Sequence, residues 1–342
     1  MSNDRFATPD PELAPLIAAL PAFPAPSGPV DPGAVRARVA AMFTTVARKN
    51  LEPLLPPEDS YHVAGYKVPN DVGYFAIRTY RPAAEDDKTF PAMLVIHGGG
   101  FMTGDLEMED YLLKIMCVDL QVAIVNVDYR LAPENPYPAG LNDTYDALKW
   151  TARKAALIHA DLRKGFIVSG KSSGGNFAAV VAHRAKDDPF FADTPLTGQI
   201  LQMPAVCHPD AVPESLKDEL TSMEQCKNAP IFSSGQLLSS YAILKADPKN
   251  PEISPLLHLS FAGLPPAYMQ VCGLDPCRDE GLAYAKKLEE NGVPTKVEIY
   301  PGAPHGFSAI FGHTKVAQKW NEDYKDGVRW LLSLASDRNS KA

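Results

Sequence analysis

Two short glycine-bordered turns hold the residues most able to do chemistry. Gly170-Lys171-Ser172-Ser173-Gly174-Gly175 fits the G-x-S-x-G pattern, in which a sharp strand-to-helix turn presents one hydroxyl, and it makes Ser172 the candidate nucleophile. His97-Gly98-Gly99-Gly100-Phe101 lies 75 residues before that serine and exposes bare backbone N–H groups of the kind that stabilise an oxyanion. At ordinary residue frequencies the serine pattern arises by chance in roughly one chain of this length in ten, and His-Gly-Gly-Gly in only a few per thousand. Both follow strand-like apolar runs here, so their joint occurrence points to acyl transfer through a serine.

A competing pattern overlaps the same residues. Gly165-Phe166-Ile167-Val168-Ser169-Gly170-Lys171-Ser172 also satisfies G-x-x-x-x-G-K-[ST], the phosphate-binding loop of nucleotide binders. Such a loop needs a buried strand before its first glycine and a flexible wrap between the two glycines. Here residues 166–169 are themselves the strand-like run, and residues 161–164 read as a helix end, so the order is wrong.

A serine nucleophile needs a base and an orienting acid, which in α/β-hydrolases follow it in the order Ser, Asp or Glu, His. Residues 267–273 read as a strand that runs into Leu274-Asp275-Pro276. Residues 296–300 read as another, and the turn after it carries His305-Gly306-Phe307. The carboxyl ends of parallel strands share one sheet edge, so Ser172, Asp275 and His305 can converge. His62, His159, His183, His208, His258 and His313 lack this glycine-flanked strand-end setting. Asp279 and Glu280 lie one helical turn past Asp275 and could supply the acid instead, although acids there also suit the start of a helix running to Asn291.

The chain resembles the hormone-sensitive-lipase-like branch of the α/β-hydrolases, a family of carboxylesterases. Four motifs carry the resemblance: His97 to Phe101; Asp128-Tyr129-Arg130-Leu131-Ala132-Pro133-Glu134 with Pro136 and Pro138; Gly170 to Asn176; and Asp275 to Gly281 followed by His305-Gly306-Phe307. It spans about residues 60–335. The resemblance implies an α/β-hydrolase fold with a mostly parallel central sheet, helices on both faces and a helical cap. It also implies that Ser172 attacks the carbonyl, His305 moves the proton and Asp275 orients His305, while the N–H groups of Gly99, Gly100 and Ser173 form the oxyanion hole. No metal or organic cofactor is expected. The family usually has an acidic residue where this chain has Lys171, which either pairs with a nearby carboxylate or biases the pocket toward anionic substrates.

The expected reaction is hydrolysis of a small to medium hydrophobic ester through an acyl-enzyme. An acyltransferase or amidase would use the same triad with a different acceptor or leaving group. A hydrolase-like receptor is a further alternative, but plant hormone receptors that resemble the family lack the histidine, and His305 is present.

Composition agrees. The 342 residues are 45% apolar with a net charge of −8, enough for a large core and unlike a sequence-independent nucleic-acid binder. The N-terminus has no basic start with an apolar stretch, no run is long enough to span a membrane, and the last residues form no peroxisomal address. Five cysteines without metal-site spacing suggest reduced thiols and a cytoplasmic protein. The expected partner is a small-molecule ester, with no nucleic acid and no membrane span; a homodimer is left open.

The elements that must position these groups are strands near residues 75–80, 93–97, 123–129, 166–169, 200–203, 267–273 and 296–300, alternating with helices on both faces. A helix from about Gly174 to Ala185 would put its positive end under the nucleophile. Eight prolines in the first 32 residues predict extended chain or short turns, after which Asp31 caps a helix with Pro32 in its first turn. Val35, Val39, Met42, Phe43 and Val46 form its apolar stripe. The expected organisation is a cap segment 1–55, a catalytic core of 56–206 and 251–342, and a second cap segment 207–250.

Overall fold

Strands whose residues are apolar without interruption must be covered on both faces, and this rule builds the centre of the molecule. In a computed structural model that describes residues 3–20, 31–85 and 87–339, eight strands form one sheet in the order β1-β2-β4-β3-β5-β6-β7-β8. They are β1 (Tyr61–Asn70), β2 (Gly73–Pro82), β3 (Ala92–Ile96), β4 (Ala123–Asp128), β5 (Phe166–Lys171), β6 (Gly198–Gln202), β7 (Ala267–Leu274) and β8 (Thr295–Pro304). From β4 to β8 every neighbouring pair is parallel, while β2 is antiparallel to both β1 and β4. All residues of β3 and β6 are buried, as are all but the last of β4 and β5.

Alternate side chains serve the two faces. Leu94, Ile96, Val125, Val168 and Leu201 join one cluster with α4 (Ala139–Arg153), α5 (Ser173–Asp187) and α8 (Arg278–Glu290). Met93, Val95, Ile124, Ile167 and Ile200 join another with α3 (Asp110–Leu120) and α10 (Lys315–Asn339). The other helices are α1 (Ala14–Ala18), α2 (Pro32–Leu51), α6 (Ser222–Gln225), α7 (Ser234–Ala242) and α9 (Phe307–Ile310).

The expected Asp31 cap is present: its side chain accepts from the N–H of Gly33, with Pro32 in the first turn of α2. Val35, Val39, Met42 and Val46 are half-buried, whereas the Phe43 side chain lies outside the described residues, as do half of the N-terminal prolines and the last three residues. Arg36 fastens α2 to the loops after β3 and β4, donating to the carbonyls of Met102 (2.7 Å) and Ala132 (2.9 Å) and pairing with Glu134. Residues 3–20 lie elsewhere, along β8. The N–H of Asp10 bonds to the carbonyl of Gly302 (3.2 Å), Asn3 donates to Asp279 (2.8 Å), and Leu13 is buried among Phe307, Phe311 and Trp320. Glu12 accepts from the backbone N–H groups of Lys315 and Val316 at the start of α10.

Where α5 meets α8, His183 and His258 stack with ring centroids 3.6 Å apart, and the Tyr284 hydroxyl lies 3.2 Å from His183 Nε2. Burial, then the charges of His258 and Lys186, push His183 down to about 2, and burial likewise lowers His258. Both rings are therefore neutral in the fold but protonate near pH ~6.5 once unfolded. Their contribution is fully present above that pH and is lost as pH falls below it, by up to about 1.4 kcal/mol per unit for each such group. Thermal melts between about pH 7.5 and 5 should show Tm falling with acid, and His183→Gln should flatten that slope.

Candidate active site

Strand β5 must turn at once into α5, and only a strained backbone does so in this space. Ser172 sits at φ 56° and ψ −119°, a rare conformation for a side chain other than glycine. A Cβ on Gly170 would strike the carbonyl of Gly174, and one on Gly174 would strike that of Ile96, so the two flanking glycines are steric requirements. The N–H of Ser172 is spent on the carbonyl of Gln202 (2.8 Å), which pins the elbow to β6.

The same sheet edge receives the ends of β7 and β8. His305 follows β8 and bridges two groups: its Nε2 is 2.8 Å from Ser172 Oγ and its Nδ1 is 2.7 Å from Asp275 Oδ2. With Nδ1–H donating to the carboxylate, Nε2 is free to accept the serine proton. The other oxygen of Asp275 accepts the N–H of Cys277 (2.8 Å). All three side chains are shielded from water, at 9% exposure for Ser172, 6% for His305 and 1% for Asp275.

Asp279 and Glu280, the rival acids, are engaged elsewhere. Asp279 pairs with Arg278 and accepts from the N–H groups of Thr221 and Ser222. Glu280 accepts from the N–H groups of Val206 and Cys207, and burial holds its carboxyl well above the usual range.

The loop after β3 packs against this group. Gly99 and Gly100 have φ of 125° and 60°, and the N–H groups of Met102 and Thr103 fold back onto the carbonyl of Gly99. Ser173 is the first residue of α5, where a helix has no internal acceptor for its N–H. His97 is buried and neutral, because burial lowers it, and its ring stacks on Tyr129 at 4.3 Å while the Tyr129 hydroxyl donates to the His97 carbonyl (3.0 Å).

Phosphate-loop geometry is absent. Residues 167–170 pair with β3 on one side and β6 on the other, so their peptide groups belong to the sheet and cannot wrap a nucleotide. Lys171 does have a carboxylate partner: its Nζ is 2.8 Å from Glu109 Oε1, and both side chains are largely buried. Lys171→Asp should therefore lower stability by about 2 kcal/mol, and adding Glu109→Lys should recover most of it. Relative rates for anionic and neutral esters should stay unchanged in these variants, which a competition assay would check.

Three neighbours make contacts here that the sequence did not reveal. Glu109 gave no signal because it lies 62 positions from Lys171. Met203, at φ 38°, accepts the N–H of Gly306 on its sulfur (3.1 Å) beside His305. Phe232 stacks on the His305 ring with centroids 4.5 Å apart. For metal binding, Asp275, Cys277 and His305 are the one suitable grouping among the described residues. Both nitrogens of His305 and both oxygens of Asp275 already have partners, and burial pushes the Cys277 thiol well up, away from a thiolate ligand.

Comparison with known proteins bears on the family and the fold. Residues 93–309 match a family described as having the α/β hydrolase fold. The chain is 33% identical over 301 residues to the versiconal hemiacetal acetate esterase of Dothistroma septosporum, covering 86% of this chain and 88% of that one. The crystal structure of a vibralactone cyclase superposes with a TM-score of 0.92 at 43% identity, over 97% of each chain. A Pyrobaculum calidifontis esterase superposes with a TM-score of 0.79 at 27% identity, over 96% of this chain and 99% of its own.

Proposed function

The chain belongs to the hormone-sensitive-lipase-like carboxylesterase family of α/β-hydrolases, and from that premise we propose that it cleaves esters through an acyl-enzyme on Ser172. The observation that carries this reading is His305 bridging Ser172 and Asp275 through opposite ring nitrogens. In the first half-reaction Ser172 Oγ adds to the ester carbonyl as its proton passes to His305 Nε2. The carbonyl oxygen becomes an oxyanion facing the N–H groups of Gly99, Gly100 and Ser173; one such donor is typically worth about 10²–10³ in rate. Collapse expels the alcohol, which takes the proton from His305, and water then enters by the reverse route. These steps use neither a metal nor an organic cofactor.

Helix α2, held over the loop after β3 by Arg36, and residues 207–250, which carry α6 and α7, act as the cap in this reading. Ile231 supplies apolar surface next to Gly306, beside the base, which favours a small to medium hydrophobic ester. Five buried, unpaired cysteines fit a reducing cytoplasm. No helix among the described residues is long and apolar enough to cross a membrane.

A second reading has its own support, because the likeness to the vibralactone cyclase exceeds that to the Pyrobaculum esterase. In it, a nucleophile within the substrate captures the acyl-enzyme in place of water, closing a ring. Hydrolysis of a chain-length series of p-nitrophenyl esters, with intact-mass detection of acylated protein and peptide mapping to Ser172, tests the first reading. Turnover without a Ser172 adduct would overturn it, and a cyclic product from a hydroxy-ester would favour the second.

A further inference from the structure

The segment before α7 contains a conformation that proteins avoid. The N–H of Phe232 donates to the carbonyl of Pro230 (2.8 Å), closing a three-residue turn whose central residue, Ile231, has φ 71°. A turn of this hand is rare and strained, and a β-branched residue at its centre is an outlier. Such strain persists only where the surroundings fix it from several sides, and it collects at functional sites. Both sides are fixed here. Ile231 packs with the cluster of Met203, Phe307 and Phe311, its Cγ2 lying 3.9 Å from where a Cβ on Gly306 would be. Ser233 then starts α7 with reciprocal Ser233 and Gln236 cap bonds. Two turns later the Ser240 hydroxyl lies directly over Gly100.

Clamped at 231 and 233, Phe232 has nowhere to go but onto the base. Its ring faces the His305 imidazole at a centroid distance of 4.5 Å and an interplanar angle of 30°. The two hydrogen bonds of His305 leave one motion unrestrained. They hold opposite nitrogens, so the ring can still rock about the line joining Asp275 and Ser172. Rocking swings Nε2–H out of the direction in which it must deliver its proton. A ring stacked on the face blocks that motion and keeps water from it.

We propose that Phe232 is a positioning residue for His305, driven into place by the strained turn at Ile231. This rests on the reading of His305 as the general base. Its ring contact is with the base, so its effect should fall on the reaction step. Phe232→Leu should lower kcat about 10- to 100-fold with little change in KM, the range that small misplacements of reacting groups produce. Phe232→Tyr, which restores a ring, should recover most of the loss. Ile231→Gly, which accepts the positive φ without strain, should leave Tm unchanged or higher while kcat falls; a purely structural role would move the two together.

Labelling of Ser172 by a fluorophosphonate reports the same step without an ester pocket, and its rate should fall in the Leu variant in parallel with kcat. An effect of Phe232→Leu confined to KM, or an unchanged labelling rate, would overturn the proposal. So would an equal loss in the Leu and Tyr variants accompanied by a lower Tm. Wild-type protein that neither turns over esters nor labels at Ser172 would instead sink the underlying nucleophile and base assignments, which separates the two failures.

Discussion

Ser172→Ala should lower kcat for p-nitrophenyl esters by about 10⁵–10⁶, leaving a residue of activity from the remaining oxyanion donors and from binding alone. The size of the loss follows from the elbow. Among the described residues Ser172 supplies the only hydroxyl that His305 Nε2 touches. A water at the vacated position would lack the strained backbone that aims the oxygen, so the acyl-enzyme route closes. Alanine keeps the φ of 56° and the strain with it, so Tm should change little. Ser172→Gly removes the same hydroxyl and relieves the strain of a side chain at positive φ. It should be as inactive as the alanine variant yet more stable by about 1–3 kcal/mol, a trade of activity against stability readable in paired kinetics and melts.

Asp275→Asn should reduce kcat about 10⁴-fold with the fold intact. The carboxylate is 1% exposed, accepts one bond from the Cys277 backbone and faces His305 Nδ1 at 2.7 Å. An amide is nearly the same size, and its oxygen can keep the Cys277 bond. Its NH₂ then faces the imidazole and donates to Nδ1, which selects the tautomer with the proton on Nε2. That nitrogen can no longer accept the serine proton, and the imidazolium formed during reaction loses its counter-charge. Steady-state kinetics beside a thermal melt would separate this from unfolding: kcat falls by orders of magnitude while Tm moves by a few degrees at most. Activity within tenfold of wild type would show that the acid lies elsewhere.

Local signals were easy to read and distant ones were not. The glycine-flanked serine and the His97 loop are each contained in six residues or fewer, and seven of the eight strands announce themselves as apolar runs or as stretches where apolar and polar residues mix in strand-like order. Strand β1 does not: it carries Gly65 and Pro69, is mostly exposed, and holds its place at the sheet edge by pairing along its whole length with β2. The Asp31 cap was legible because capping is decided within three residues. The partner of Lys171 was not, since the choice between a paired lysine and a substrate-facing one depends on how α3 meets β5. Phe232 over His305 was invisible for the same reason, and also because nothing in the residues Pro230-Ile231-Phe232 warns of a positive φ at isoleucine.

The clasp formed by residues 3–20 along β8 sets the order in which this protein can mature. Ribosomes make the chain from its amino end at roughly 5–20 residues per second, so this strap emerges on the order of 15–60 s before the strand it binds. Its docking partners are the carbonyl of Gly302, the Asp279 carboxylate and the first turn of α10. Until those exist, the strap has nothing to hold. The turns bearing Asp275 and His305 are likewise made long after residues 3–20, which bond to Asp279 and Gly302 near them. Assembly of the reactive centre is therefore a late event relative to synthesis of the strap, in which two segments far apart in the sequence meet.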